Sequence, residues 1–232
     1  MRDKTMLAAV FEGEGRLSVK EVPVPAIREP DEVLLRVDAA SICGTDVHIL
    51  EVPPGHPATP GAILGHEYTG TVLEMGSDVQ GLETGDRVVV DPNLTCGKCR
   101  YCRSGMPNMC QSMTTLGIFI NGGFAKYNAA PAGALHKISK DVPPDVAALA
   151  EPLSCVVNGT QKVRVQPGES VAVLGAGPIG LLFTQVFAAA GAGRIVVSEI
   201  TKVRAEAAAR SGAHVVLDPR EPGFVQRALD ET

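Results

Sequence analysis

A glycine-rich turn between an apolar strand and a helix constrains the fold of this chain most. Gly175, Gly177 and Gly180 follow the apolar residues 171–174 and open a predicted helix. Glycines with this spacing allow a tight turn and let a pyrophosphate approach the N-terminus of the helix closely. Because the turn has both its strand and its helix, the sequence predicts a dinucleotide site. The expected contacts are Gly175, Gly177, Pro178, Ile179 and Gly180.

The residues around this turn alternate between strand and helix patterns, which is typical of a parallel α/β sheet. The predicted strands cover residues 171–174, 194–198 and 214–217, and the predicted helices cover 178–190 and 202–210. A complete dinucleotide-binding sheet has strand order 3-2-1-4-5-6, so these strands form only one half of it. The strand 171–174 would then lie at an open, apolar edge. We therefore expect the chain to be a fragment or truncated product of a longer protein.

Glu199 follows the second predicted strand and is 19 residues beyond Gly180. A carboxylate at this point accepts hydrogen bonds from ribose hydroxyls and repels a 2′-phosphate, which favours NAD over NADP. Lys202 and Arg204 lie nearby and weaken that preference, and Arg204 is itself a candidate cofactor contact.

The first part of the chain has a different pattern of short strands separated by Gly and Pro turns. Candidate strands cover residues 5–11, 32–37, 69–74 and 87–90, and a proline-punctuated connection joins the first two. Many short strands of this kind predict a small barrel or sandwich. The pattern changes near Pro143, where helical residues begin, and Cys155 is expected to be buried on the helix that carries Glu151. We place the boundary so that the domains cover residues 1–156 and 157–232.

Four of the six cysteines form the pattern Cys96-x2-Cys99-x2-Cys102-x7-Cys110. Four thiolates can close a tetrahedral shell around zinc and leave no open position, so the site would be structural. In a chain without a recognisable secretion signal, such clustering indicates metal binding rather than disulfides. An iron–sulfur cluster is the main alternative, and the lack of a flanking Cys-Pro makes it the weaker one.

A second group of residues has the chemistry of a catalytic zinc site. Such a site takes three protein ligands and leaves a fourth position for water or substrate. Cys43 and His66 could supply two ligands, with either Glu67 or Glu151 as the third. Asp46 is a candidate to orient His66, and it is equally a candidate helix cap, as is Thr45. Thr45 and His48 are further candidates for proton transfer.

Composition limits the other classes of function. The net charge of −5 and the pI near 5.6 argue against nucleic acid or an anionic membrane as the main partner. The longest apolar stretch, residues 171–192, contains Gly, Pro, Thr and Gln, so we expect no membrane span. The N-terminus lacks the features of a signal peptide, and we expect a soluble, cytoplasmic protein.

Taken together, these residues resemble the zinc-dependent medium-chain dehydrogenases, which include alcohol, polyol and threonine dehydrogenases. The resemblance is carried, in the family's order, by residues 42–48 (ICGTDVH), 65–70 (GHEYTG), the four-cysteine segment, 151–154 (EPLS) and 175–180 (GAGPIG). The EPLS segment is similar to sorbitol, glucose and related polyol dehydrogenases. The CGTDVH segment is similar to threonine and butanediol dehydrogenases.

The resemblance implies a GroES-like barrel catalytic domain followed by a Rossmann domain, with mixed β and α/β structure. It implies two Zn2+ ions per chain and NAD. Cys43 and His66 would be zinc ligands, and Glu67 and Glu151 would ligate directly or through water. It also implies a proton relay through Thr45 and His48, and hydride transfer from an alcohol or polyol to NAD. Dimers or tetramers are common among such enzymes. The alternative is a non-catalytic fragment that retains the structural zinc and a partial nucleotide site.

Overall fold

The structure is a computed structural model that describes residues 4–232, and it divides into two compact units between Glu151 and Pro152. The division falls inside the helix Ala150–Val163, and the predicted boundary at residue 156 lies further along the same helix. Within the described residues, no helix is both long enough and apolar enough to cross a bilayer.

The first unit consists of short strands and three short helices. Its strands are β1 (Thr5–Gly13), β2 (Arg16–Pro23), β3 (Glu32–Ser41), β4 (Glu67–Met75), β5 (Arg87–Val90), β6 (Asn93–Leu94), β7 (Thr114–Thr115), β8 (Tyr127–Pro131) and β9 (Leu135–Ile138). Its helices are α1 (Gly44–Ile49), α2 (Arg100–Arg103) and α3 (Pro144–Ala147), with 3-10 turns at Pro107–Met109 and Ala132–Ala134.

The main sheet of the first unit has the order β8-β3-β4-β5-β9, and every pairing in it is antiparallel. Apolar residues on these strands form the core, with Val33, Leu35, Val72 and Val88 fully buried. The strands β3 and β4 make the longest pairing in this sheet, and their register brings the end of β3 beside the beginning of β4. The candidate metal ligands lie at this end of the pair.

The strand β2 was not predicted, and it lies in the proline-punctuated connection that follows β1. It pairs with β1 in an antiparallel hairpin. Its residues are exposed or half-buried along the whole strand. Leu17 and Val19 do alternate with polar residues, but both are exposed, so the alternation here does not mark a buried face.

The second unit has the predicted alternation of strands and helices. Its strands are β10 (Ser170–Leu174), β11 (Arg194–Ser198) and β12 (Val215–Leu217), and its helices are α4 (Ala150–Val163), α5 (Pro178–Ala189), α6 (Lys202–Arg210) and α7 (Phe224–Glu231). The strands are parallel in the order β10-β11-β12, which confirms the partial parallel sheet. Ile195 and Val197 of β11 are fully buried in the core of this unit.

The strand β10 lies at the edge of this sheet, as predicted. Within residues 4–232 it pairs with β11 only, and the side chain of Leu174 at its end is 83% exposed. The prediction for Cys155 was wrong, since this residue is exposed on α4. The buried positions of that helix are Pro152 and Val156, four residues apart on one face, and Cys155 lies beside that face.

Candidate metal centre and nucleotide-binding turn

Three candidate zinc ligands meet where β3 ends and β4 begins. Cys43 lies two residues beyond β3, His66 immediately precedes β4, and Glu67 is the first residue of β4. One ligand atom from each lies within 4.8 Å of the others, and His66 and Glu67 are buried. A thiolate, an imidazole and a carboxylate are the donors that zinc takes in proteins. The arrangement therefore fits a zinc ion with a fourth position left for water or substrate.

Asp46 and His66 form a buried polar pair beside these ligands. The His66 Nδ1 and the Asp46 Oδ1 are 3.7 Å apart, and neither atom has a hydrogen-bond partner among residues 4–232. Burial raises the pKa of Asp46, while the backbone N–H of Cys43 and the His66 imidazole act to lower it. A histidine that binds a metal through one nitrogen commonly donates from the other to a carboxylate. The two unpartnered atoms support such a role for Asp46.

Asp46 also caps the helix α1, so both of its predicted roles are compatible with the structure. Cys43 is the N-cap residue, and its sulfur accepts a hydrogen bond from the Thr45 N–H at 3.5 Å. Asp46 completes the capping box, because its Oδ2 accepts from the Cys43 N–H at 2.9 Å. The prediction of Thr45 as the cap was wrong, since Cys43 is the N-cap residue.

Burial and nearby carboxylates raise the pKa values of Cys43 and Glu151. Burial raises the pKa of the Cys43 thiol, and the adjacent Glu67 carboxylate raises it further. Burial and the charges of Glu67 and Asp91 raise the pKa of Glu151 to about 7. Glu151 lies outside the group of three ligands, in the first turn of α4. A site that holds negative groups together at this cost is suited to a cation, which would favour their charged forms.

The two candidates for proton transfer lie on α1. Thr45 is half-buried, and His48 is one turn further along, with 59% of its side chain exposed. The His48 Nδ1 lies 3.0 Å from the Glu51 Oε1. Sequence reasoning missed Glu51, although its spacing of three residues on a helix end could have indicated the contact.

The four cysteines of the second candidate site also come together. The sulfurs of Cys96, Cys99, Cys102 and Cys110 lie within 4.8 Å of one another. Backbone N–H groups point at them, since the Cys96 N–H donates to the Cys110 sulfur at 3.3 Å and the Cys99 N–H to the Cys96 sulfur at 3.4 Å. Hydrogen bonds from backbone N–H groups, led by that of Cys102, lower the pKa of Cys99 to about 6. These features fit a closed tetrathiolate zinc site.

The glycine turn of the second unit has the geometry that its sequence predicts. Gly177 is the N-cap of α5 and Pro178 is its first residue, while Ile179 follows and is partly exposed. A Cβ atom on Gly180 would lie 1.9 Å from the carbonyl oxygen of Gly175. Only glycine allows this close approach of the helix to the turn, as a dinucleotide-binding turn requires.

Glu199 is linked to this turn directly. Its Oε2 accepts a hydrogen bond from the Ala176 N–H at 2.8 Å, and its Oε1 accepts from the N–H groups of Ile200 and Thr201. These hydrogen bonds lower the pKa of Glu199, whose side chain is buried. The carboxylate is therefore charged and fixed at the end of β11. Arg204 lies on the exposed surface of the first turn of α6.

Known proteins are similar to this chain in both sequence and structure. The family profile of the alcohol dehydrogenase GroES-like domain matches residues 29–140. L-threonine 3-dehydrogenase of Pyrococcus horikoshii is 42% identical over 216 residues, which cover 91% of this chain and 60% of the relative. D-altritol 5-dehydrogenase of Agrobacterium fabrum is 42% identical over 203 residues, which cover 86% and 60%. The chain thus spans about 60% of the length of these curated relatives.

The solved structures agree with this similarity. The alcohol dehydrogenase TADH from Thermus sp. ATN1 superimposes with a TM-score of 0.87 at 35% sequence identity, covering 98% of this chain and 67% of that one. Together with the matched domain profile, this superposition confirms the predicted fold, a GroES-like domain followed by a partial Rossmann sheet.

Proposed function

Because this chain belongs to the zinc-dependent medium-chain dehydrogenase family, we propose that it is part of an oxidoreductase that transfers hydride from a secondary alcohol, polyol or related hydroxy compound to NAD. The observation that carries the proposal is the convergence of Cys43, His66 and Glu67, whose ligand atoms lie within 4.8 Å of one another. Three such ligands with an open fourth position are typical of catalytic rather than structural zinc.

The residues around these ligands suit the binding of a cation. Unpartnered polar atoms on Asp46 and His66, and raised pKa values on Cys43 and Glu151, are costly in a buried site without a positive charge. A zinc ion bound here would supply Lewis acidity, which makes the hydroxyl group of a substrate more acidic. Cys43, His66 and Glu67 would hold it, with Glu151 as a second carboxylate within electrostatic range.

Residues of this chain would carry the proton of the substrate hydroxyl to solvent. Oxidation of a carbinol breaks one C–H bond, whose hydride goes to the nicotinamide, and one O–H bond, whose proton must reach solvent. Thr45 is half-buried on the helix α1, whose N-cap is Cys43, and His48 on the same helix is largely exposed. We propose that the Thr45 hydroxyl accepts the proton from the substrate side and that His48 releases it to water. Glu51 would orient the imidazole through its contact with Nδ1.

The second unit supports the choice of cofactor. The turn from Gly175 to Gly180 would receive the pyrophosphate, and Glu199 would accept hydrogen bonds from the adenosine ribose. A lowered pKa keeps Glu199 negatively charged at neutral pH, so that it repels the 2′-phosphate of NADP. Arg204 would contribute a positive charge near the cofactor. We therefore propose NAD as the hydride acceptor.

The substrate class follows from the relatives. Two of the relatives are named for the dehydrogenation of L-threonine at position 3 and of D-altritol at position 5. We propose the same chemistry for the protein that carries this chain. The four-cysteine site would hold a second zinc ion with a structural role, and a cytoplasmic homodimer or homotetramer remains our expectation.

The test is an assay of NAD reduction by the zinc-loaded protein with a panel of vicinal diols, polyols and L-threonine. We expect two zinc ions per chain by native mass spectrometry and NADH formation with at least one member of the panel. The variant Cys43→Ala should lose one zinc ion and the activity, whereas Cys155→Ala, an exposed cysteine on α4, should keep both. A wild-type protein that holds two zinc ions and binds NAD, yet reduces none of it, would favour the non-catalytic alternative.

A further inference from the structure

Ser41 and Glu67 face each other at the point where the metal ligands converge. Ser41 is the last residue of β3, Glu67 is the first residue of β4, and the two are direct partners in the antiparallel register. Side chains of such partners lie on the same face of the sheet. The Ser41 hydroxyl donates a short hydrogen bond to the Oε2 of Glu67. Ser41 lies two residues before Cys43, so the end of β3 positions both the serine hydroxyl and the cysteine sulfur.

This hydrogen bond occupies one of the two carboxylate oxygens of Glu67. Oε2 is held by Ser41, which leaves Oε1 as the oxygen that can approach a cation without breaking that bond. The Cys43 sulfur lies within 4.8 Å of a carboxylate oxygen of Glu67, and the proton of this thiol would be lost on metal binding. Ser41 would then be the donor that remains on this buried carboxylate.

We propose that Ser41 is a positioning residue of the metal centre, which holds Glu67 so that the carboxylate presents a single oxygen to zinc beside Cys43 and His66. The inference rests on the metal centre of the proposed function and is independent of hydride transfer. Carboxylates that ligate metals are themselves hydrogen-bonded, and loss of such a partner typically weakens metal binding by about 10–100-fold. Loss of the Ser41 hydroxyl should therefore weaken zinc binding at this site by about tenfold or more.

The experiment compares Ser41→Thr with Ser41→Val, two variants of nearly equal shape of which only the first has a hydroxyl. Both are β-branched and suit the end of a strand, so both should fold. Zinc affinity is measured by competition with a chromophoric chelator, and Cys43→Ala supplies the signal of the four-cysteine site alone. Ser18→Ala is the matched control, because Ser18 also donates to a glutamate, Glu12, which lies on the β1–β2 hairpin and is not one of the candidate ligands.

We expect Ser41→Thr and Ser18→Ala to bind zinc as the wild type does and Ser41→Val to bind it about tenfold or more weakly. The spectrum of Co2+ at this site, after subtraction of the Cys43→Ala spectrum, should change in Ser41→Val and not in Ser41→Thr, because the intensity of its bands depends on coordination number. In a Glu67→Ala background, Ser41→Val should have no further effect if Ser41 acts through Glu67.

Two results would overturn the inference. One is equal zinc affinity and an equal cobalt spectrum for the threonine and valine variants. The other is a full effect of Ser41→Val in the absence of Glu67. These measurements concern metal binding alone, so failure to find a substrate would refute the proposed oxidoreductase and leave this result standing.

Discussion

Substitution of Gly65 by alanine should weaken metal binding, because it would shift the backbone that carries two candidate ligands. Gly65 precedes His66 and Glu67 and has a φ angle of +90°. A Cβ atom added there would lie 2.4 Å from the ring of Phe124, which packs in the core of the first unit. A positive φ costs an alanine about 1–2 kcal/mol. The displacement of packed atoms costs about 1–3 kcal/mol more.

The chain offers a control that separates these two costs. Gly61 has a φ angle of +92°, and a Cβ atom there would meet nothing within 4 Å. Gly61→Ala should therefore lower the free energy of unfolding by about 1–2 kcal/mol, and Gly65→Ala by about 2–5 kcal/mol. Urea denaturation of the zinc-loaded proteins measures both values.

The same two variants should differ at the metal. We expect Gly65→Ala to release the zinc ion held by His66 and Glu67 to a chelator at least about tenfold more readily, because a shift of the backbone moves both ligands. Gly61→Ala should retain that ion. If the two variants had equal stability and equal zinc retention, the steric argument at Gly65 would be refuted.

Three further predictions concern other groups. In the metal-free protein, the pKa of Glu151 is raised from 4.5 to about 7, so the wild type should lose stability as the pH rises through this range. Glu151→Gln should remove this loss, which we expect to be about 1–2 kcal/mol after allowance for partial exposure and which urea titrations at several pH values would detect. Cys99→Ser should lower the zinc content by one ion and make residues 91–112 sensitive to limited proteolysis, because the metal holds this loop together; an unchanged zinc count would argue against the tetrathiolate site. Glu199→Gln should destabilise the second unit by about 1.5–3 kcal/mol, since an amide nitrogen would face the backbone N–H groups that now donate to the carboxylate. It should also weaken the preference for NAD over NADP in calorimetric titrations. A variant with unchanged stability and unchanged cofactor preference would refute the proposed role of Glu199.

Sequence reasoning succeeded where chemistry is encoded in local spacing. The strand, turn and helix around Gly175 and the order of the parallel strands were predictable, because period and turn residues are local properties. The four cysteines were equally clear, and their sulfurs do converge. Residue type and resemblance also gave Cys43, His66 and Glu67 as candidate ligands, and their ligand atoms do converge.

The remaining features depend on pairings between residues that are far apart in the chain. The contact of Ser41 with Glu67 requires the register of β3 against β4, which joins residues 26 positions apart. The anchoring of Glu199 to Ala176 joins residues 23 positions apart. No local pattern specifies such a register in advance. The hairpin strand β2 was missed for a different reason: Leu17 and Val19 alternate with polar residues, but the segment leads into the proline-punctuated connection and was read as part of it.

The N-cap of α1 links metal binding to the stability of the helix that carries Thr45 and His48. The sulfur of Cys43 caps this helix by accepting a hydrogen bond from the Thr45 N–H, and it is also one of the three candidate metal ligands. A thiolate accepts hydrogen bonds more strongly than a thiol does. Loading and stripping the metal would therefore tighten and loosen the first turn of a six-residue helix that is too short to be stable alone. Amide hydrogen exchange along α1 would then report the occupancy of the metal centre without any substrate.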